Sequence, residues 1–112
     1  YYKPFQIDPV LQHLKEDYYW QNLNDYQKIV YLKMLYSMNV REAQYEGCGI
    51  KRNQFVYGKS STARRWNIEP EKLYKTMLKF EKDGRIHREV IKSGGKHRFT
   101  IITLLVFDVS DF

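Results

Sequence analysis

The sequence contains only one cysteine and no long apolar run, which argues against a disulfide-bonded protein and against a membrane-spanning one. Cys48 cannot form an internal disulfide, and it has no Cys or His partner at metal-binding spacing. The longest apolar run, 101–107, is interrupted by Thr103 and falls well short of the roughly 20 residues that a membrane-spanning helix needs. We therefore expect a cytoplasmic, reducing setting, no structural metal and no membrane partner.

Secretion signals and catalytic constellations are also absent from the sequence. Charged residues interrupt the N-terminal positions, so no signal peptide is expected there. His13, His87 and His97 are scattered along the chain, and the hydroxyl run 60–62 lacks a partner base. Because no glycine-rich phosphate loop or paired acid site is present either, we expect no enzyme activity and no cofactor.

Positive charge is concentrated in the second half of the chain. Residues 1–50 carry five Lys or Arg against six Asp or Glu, whereas residues 51–112 carry fourteen against seven. Between positions 51 and 65 there are five cations and no carboxylate: Lys51, Arg52, Lys59, Arg64 and Arg65. A localised excess of this kind is what contact with a polyanion requires.

The N-terminal half predicts two helices followed by a loop. Pro9 can open a helix over 9–20, with Val10, Leu14 and Tyr18 recurring every four residues. A second helix is predicted over 25–38, begun by a capping box at Asn24. Its predicted buried stripe consists of Ile29, Leu32 and Tyr36. Glycines in 41–49 favour a loop.

The second half predicts a strand, two short helices and a hairpin. The strand covers 50–57, with Phe55 and Tyr57 on one side, and a two-turn helix follows after Gly58 or Ser60 as its cap. The left-handed conformation open to Asn67 would end this helix. The next helix spans 70–83, with an inner stripe of Leu73, Met77 and Phe80. Two strands, 85–92 and 98–107, are joined by a turn at Gly94-Gly95.

The last predicted strand is apolar on both faces. Its alternation places Phe99, Ile101, Leu105 and Phe107 on one side and Ile102, Leu104 and Val106 on the other. Such a strand must be covered twice. We expect the helices to cover one face, and the aromatic N-terminal segment or a second subunit to cover the other.

This order of elements predicts an α+β fold, a winged helix-turn-helix with an N-terminal helical extension. Residues 24–112 would form the winged-helix domain. Residues 1–23 would form an aromatic-rich extension that serves as a dimerisation element, which makes a homodimer the expected assembly.

The predicted fold brings three basic segments together, and double-stranded DNA is the expected partner. The helix over 70–83 would present Lys72, Lys75, Thr76, Lys79 and Lys82 outward, alongside a single carboxylate, Glu71. The hairpin tip carries Lys92, Lys96, His97 and Arg98, and the preceding helix contributes Lys59, Ser60, Ser61 and Arg64. The alternative, a charged face that is merely solvated, stays open, and lysines indicate affinity more than base discrimination.

Residues 47–112 resemble the winged-helix domain of DnaD-like and phage replication-initiation proteins. The matching positions are Lys51-Arg52, Gln54-Phe55-Val56, Ala63, Phe80-Glu81, Gly84, Ile86 and Thr100-Ile101-Ile102. The chain departs from the pattern at Asn53, Gly58, Thr62 and Glu69. The resemblance implies a role in initiating or regulating bacterial, phage or plasmid replication, with self-association and contacts to other replication proteins. A protein-interaction module of a replisome complex and a transcriptional regulator are the alternative functions.

Overall fold

The computed structural model describes residues 9–106 and 108, and it has an α+β architecture of helices and antiparallel sheets. Five helices and five strands follow in this order: α1 Pro9–Lys15, α2 Tyr18–Gln21, α3 Asp25–Ser37, β1 Ala43–Tyr45, β2 Cys48–Ile50, β3 Gln54–Tyr57, α4 Lys59–Trp66, α5 Pro70–Lys82, β4 Ile86–Ser93 and β5 Lys96–Leu104. None of the helices in this described part is long and apolar enough to cross a bilayer.

The predicted single helix over 9–20 is wrong, because Asp17 divides it. The Asp17 carboxylate accepts a hydrogen bond from the backbone N–H of Tyr19 at 3.0 Å, which caps a new helix, α2. Leu14 is buried as predicted, but Tyr18 is 79% exposed because the break rotates it out of the stripe.

Helix α3 has the predicted bounds and capping box but the wrong predicted face. Asn24 accepts from the Gln27 backbone at 2.8 Å, and Gln27 accepts from the Asn24 backbone at 3.2 Å. Ile29 and Tyr36, predicted to be inside, are 53% and 55% exposed. The buried residues of this helix are Val30, Tyr31, Met34 and Leu35. Apolar residues surround this helix, so the periodicity alone did not identify the inner side.

The predicted loop over 41–49 is a hairpin. Strands β1 and β2 pair antiparallel around Glu46-Gly47, with φ values of 47° and 81°. Those are the positive values of a tight two-residue turn, and Glu46 adopts them without being glycine. The predicted strand over 50–57 is therefore two strands, separated by a turn in which Asn53 has a φ of 68°.

Helices α4 and α5 confirm their predicted bounds to within one residue. Gly58 is the N-cap of α4, and Asn67 ends it in the left-handed conformation with a φ of 57°. Leu73, Met77 and Phe80 form the buried stripe of α5, as predicted. The departure at Glu69 does not leave α5 uncapped, because its carboxylate accepts from two backbone amides of the first turn.

Three strands form an antiparallel sheet in the order β3-β5-β4. The turn between β4 and β5 uses Gly94 and Gly95 at φ values of 59° and 79°, as predicted. The last strand ends at Leu104, and Phe107 of the predicted 98–107 lies outside the described residues. Leu105 and Val106, which were predicted to be covered residues of this strand, instead follow it and are exposed.

The two faces of β5 are covered by different parts of the chain. Ile102 and Leu104 belong to the main core, formed with α3, α4 and α5. Phe99 and Ile101 form a second small cluster with Ile50 of the β1–β2 hairpin. The expectation that the N-terminal segment or a second subunit covers this face is therefore wrong, since the hairpin that was predicted as a loop covers it.

The described part of the N-terminal extension packs against the main core. Leu14 and Leu23 are buried, and the Tyr19 ring lies 6.4 Å from the Phe80 ring between centroids. Arg85, just after α5, donates to both carboxylate oxygens of Asp17 at 2.9 and 2.7 Å. This ion pair joins positions 68 residues apart and fixes the extension to the base of α5.

Candidate nucleic-acid interface

The exposed side of α5 carries a stripe of four lysines, which we call the lysine face: Lys72, Lys75, Lys79 and Lys82. Their spacing places them on the side of the helix opposite to the buried stripe. Lys79 is partly neutralised by Asp83, with Nζ and the carboxylate 2.9 Å apart. Within the described residues, no carboxylate lies at salt-bridge distance from the other three lysines. Lys75 and Lys82 interact at longer range with Glu71 and Asp83, whose pKa values they help to lower, so the α5 surface keeps an excess of positive charge.

The prediction that Thr76 belongs to the exposed side of α5 is wrong. The residue was expected to face outward as a neutral hydrogen-bonding group, but it is 7% exposed and its hydroxyl donates to the Lys72 carbonyl at 2.9 Å. Thr76 lies on the edge where α5 packs against α3, close to Tyr26. The same ring contacts Lys72, whose Nζ is 4.2 Å from its centroid. Thr76 is consequently a packing residue and cannot contact a ligand.

A cluster of charged side chains around Tyr74 connects α4, α5 and β4. Lys59, the first residue of α4, forms an ion pair with Glu71 of α5 at 2.5 Å. Its Nζ also lies 5.0 Å from the Tyr74 ring centroid. Arg88 of β4 lies 5.5 Å from the same centroid and donates to Glu81 at 3.0 Å. We call this group the Tyr74 cluster: Lys59, Glu71, Tyr74, Arg88 and Glu81.

The carboxylates near the lysine face are held in their ionised form by these contacts. The hydrogen bond from Lys59 lowers the pKa of Glu71. The Tyr19 hydroxyl and Lys79 lower the pKa of Asp83. Burial opposes the charged form of Glu81, but the hydrogen bonds and charge of Arg88 outweigh it and lower its pKa.

Strand β4 of the β4–β5 hairpin is joined to α5. Ile86 faces the core, and Arg88 donates to Glu81 of α5, but a β-bulge between Ile91 and Lys92 interrupts the alternation before the hairpin tip. Lys92 pairs with His97 across the hairpin, and the His97 ring lies 3.1 Å from the Thr100 hydroxyl. Lys92, Lys96 and His97 are exposed, as predicted. Arg98 lies in β5, and its side chain is outside the described residues.

The remaining predicted site residues lie on the outer side of α4. Ser60, Ser61 and Arg64 are exposed, and they follow Lys59 in the first two turns. Arg65, on the same helix, lines a cleft of about 430 Å³ at the outer edge of β3. This cleft lies between α4, the end of α3 and the β1–β2 hairpin, away from the lysine face. The structure thus joins Lys59 to α5 through Glu71 and joins β4 to α5 through the Arg88–Glu81 pair, whereas Arg65 lines the cleft.

The sequence analysis did not predict the Tyr74 cluster. Its members come from α4, α5 and β4, and no local pattern connects Lys59 with Glu71 twelve positions later. One signal was available for Arg88, because two-residue alternation from Ile86 places it on the α5 side of the sheet.

Neither a metal-binding group among the described residues nor a matching protein offers an alternative interpretation of this surface. Among residues 9–106 and 108, no three His, Cys, Asp or Glu side chains are grouped so that they could hold a metal ion. No protein-family model, curated protein or solved structure matches the chain. The family resemblance therefore remains a prediction, and the function must be argued from the surface itself.

Proposed function

We propose that this chain is a winged helix-turn-helix domain that binds duplex DNA through α5 and the β4–β5 hairpin. The order α3, β3, α4, α5, β4, β5, with the sheet order β3-β5-β4, supports this assignment. Only residues 67–69 connect α4 to α5, so α4 braces α5 as the first helix of such a motif does. The hairpin would be the wing.

The lysine face is the observation that carries the proposal. Lys72, Lys75 and Lys82 project from one side of an exposed helix whose width suits the major groove. Lys92 and Lys96 are exposed on the hairpin, whose strand β4 pairs with α5 through Arg88 and Glu81. Lysine pairs well with phosphate and discriminates bases poorly, so the proposed binding gains most of its affinity from the DNA backbone.

The biological process rests on the resemblance alone. We place the domain in the initiation or regulation of bacterial, phage or plasmid replication, in the cytoplasm and alongside other replication proteins. It acts there by binding rather than by catalysis. A transcriptional regulator would use the same surface, and the DNA sites recovered from cells would distinguish the two roles.

Binding to a duplex of arbitrary sequence is expected to weaken steeply with salt. Contacts to four to six phosphates would reduce affinity by about 10²- to 10³-fold between 50 and 200 mM salt, because bound cations displace condensed counterions. Fluorescence anisotropy of a labelled duplex measures this. If no binding occurs at 50 mM salt, the proposed function is wrong.

A second candidate function, a self-associating interaction module, is favoured by the outer side of α3. Ile29 and Tyr36 are 53% and 55% exposed there, and Leu32 lies half-buried between them. An apolar stripe at helical spacing is the surface that a helix of a second copy could cover.

Replacing Ile29 by glutamate is expected to abolish self-association under this second candidate, since it places a charge within the stripe. Sedimentation equilibrium should give twice the 13.6 kDa chain mass for the wild type and the single mass for I29E. Val90→Glu, which changes another exposed apolar residue away from α3, is the control. A wild type that is monomeric at all protein concentrations would exclude this function.

A further inference from the structure

Glu71 places a negative charge inside the otherwise positive proposed interface. Its side chain is 60% exposed in the first turn of α5, next to Lys72 in sequence and paired with Lys59. A carboxylate there repels the phosphates that the neighbouring lysines attract. It therefore lowers affinity for DNA unless it accepts a hydrogen bond from the DNA itself.

The position of Glu71 suits contact with a base. In helix-turn-helix proteins the N-terminal residues of the second helix reach the base edges, whereas residues farther along the helix and on flanking elements hold the backbone. Glu71 is the second residue of α5, Lys72 adjoins it in the same turn, and Lys75, Lys79 and Lys82 follow in the later turns. The carboxylate thus lies where sequence is read, and most of the lysine face lies where phosphate is bound.

Only one oxygen of its carboxylate is paired. Lys59 contacts Oε1, and Lys59 is itself held against the Tyr74 ring centroid at 5.0 Å. None of the residues that the structure describes donates to Oε2 of Glu71. Because an ionised carboxylate can accept several hydrogen bonds, Oε2 retains its acceptor capacity while Oε1 is paired with Lys59.

We propose that Glu71 determines a sequence preference by accepting a hydrogen bond from the exocyclic amino group of cytosine in the major groove. In that groove, carboxylates pair with the cytosine N4 amino group. The amino group of adenine lies beside the N7 acceptor, whose lone pair repels a carboxylate. This inference rests on the proposed function, to which it adds discrimination that the lysines do not supply.

Selection from a random duplex library, with sequencing of the bound fraction, tests the inference. Wild type should enrich cytosine at one position by about 5- to 100-fold. Glu71→Gln should lose this preference and favour adenine there, because an amide pairs with both N6 and N7 of adenine. Glu89→Gln, an equal charge change at an exposed residue of β4, should retain the wild-type preference.

The outcomes separate this inference from the proposed function. If wild type binds duplex in a salt-dependent manner but enriches the same sequences as E71Q, Glu71 is only an ion-pair partner of Lys59 and the inference is wrong. If wild type does not bind duplex at low salt, the proposed function fails and the inference fails with it. Thermal melting of both variants should match the wild type, since both side chains are exposed.

Discussion

Replacing Arg85 by methionine is expected to lower the free energy of unfolding by about 3 kcal/mol. The Arg85 and Asp17 side chains are only 17% and 13% exposed, so the substitution leaves a largely buried carboxylate without its cation. Arg85 also stacks on Tyr19, with the guanidinium carbon 4.3 Å from the ring centroid. Methionine retains much of the volume but none of the charge. The melting temperature should fall by roughly 10 °C or more, as followed by circular dichroism.

A double-mutant cycle with Asp17→Asn isolates the ion pair. Asparagine keeps an oxygen that can cap α2 but removes the charge, so D17N with R85M should be more stable than R85M alone. Arg52→Met is the matched control, because Arg52 pairs with Asp108 at 2.9 Å while remaining 57% exposed. Exposed pairs of this kind contribute about 1 kcal/mol or less. Equal losses in R85M and R52M would show that the Asp17 contact has no special role.

This ion pair marks the limit of what the sequence could predict about the fold. The bounds of α3, α4 and α5 followed from local signals, namely the capping box at Asn24, the left-handed Asn67 and Pro70 at a helix start. Asp17 and Arg85 meet across 68 positions, and no local pattern relates them. The ends of these helices could therefore be predicted from local signals, whereas contacts that depend on the complete fold could not.

Positive φ values at residues other than glycine also concealed structure. Glu46 takes the first position of the β1–β2 turn, where asparagine, aspartate or glycine would have signalled a hairpin. Because that hairpin was predicted as a loop, the cover for Phe99 and Ile101 was assigned to other parts of the chain. A single unrecognised turn thus produced the wrong prediction for the second face of β5.

The positive charge of the candidate site could be predicted from the sequence, but the ion pairs that its lysines form could not. Helical periodicity correctly placed Lys72, Lys75 and Lys82 outside, because Leu73, Met77 and Phe80 define the inner side so clearly. Thr76 lies on the boundary between the two sides, where packing against α3 decides its exposure. Whether a lysine is neutralised depends on neighbours such as Glu71, which pairs with Lys59, and Asp83, which pairs with Lys79. Only the structure shows these pairs.

Replacing Lys72, Lys75 and Lys82 together by glutamine is expected to weaken binding to arbitrary duplex by about 10²- to 10³-fold at 50 mM salt. Each lysine that neutralises one phosphate contributes close to one unit to the slope of log affinity against log salt, so the slope should fall by about 3. Fluorescence anisotropy over a salt series measures both quantities. The fold should survive, because the only contact of these side chains with a described ring is that of Lys72 with Tyr26.

A second triple variant separates a local contact from a general effect of charge. Lys15, Lys33 and Lys51 lie on α1, on α3 and in the turn before β3, and their replacement by glutamine also lowers the net charge from +6 by three. Long-range attraction is screened over about 10 Å at 0.1 M salt, so this variant should bind almost as tightly as the wild type. If the two triple variants lose affinity equally, net charge attracts the DNA, and α5 is not its contact surface.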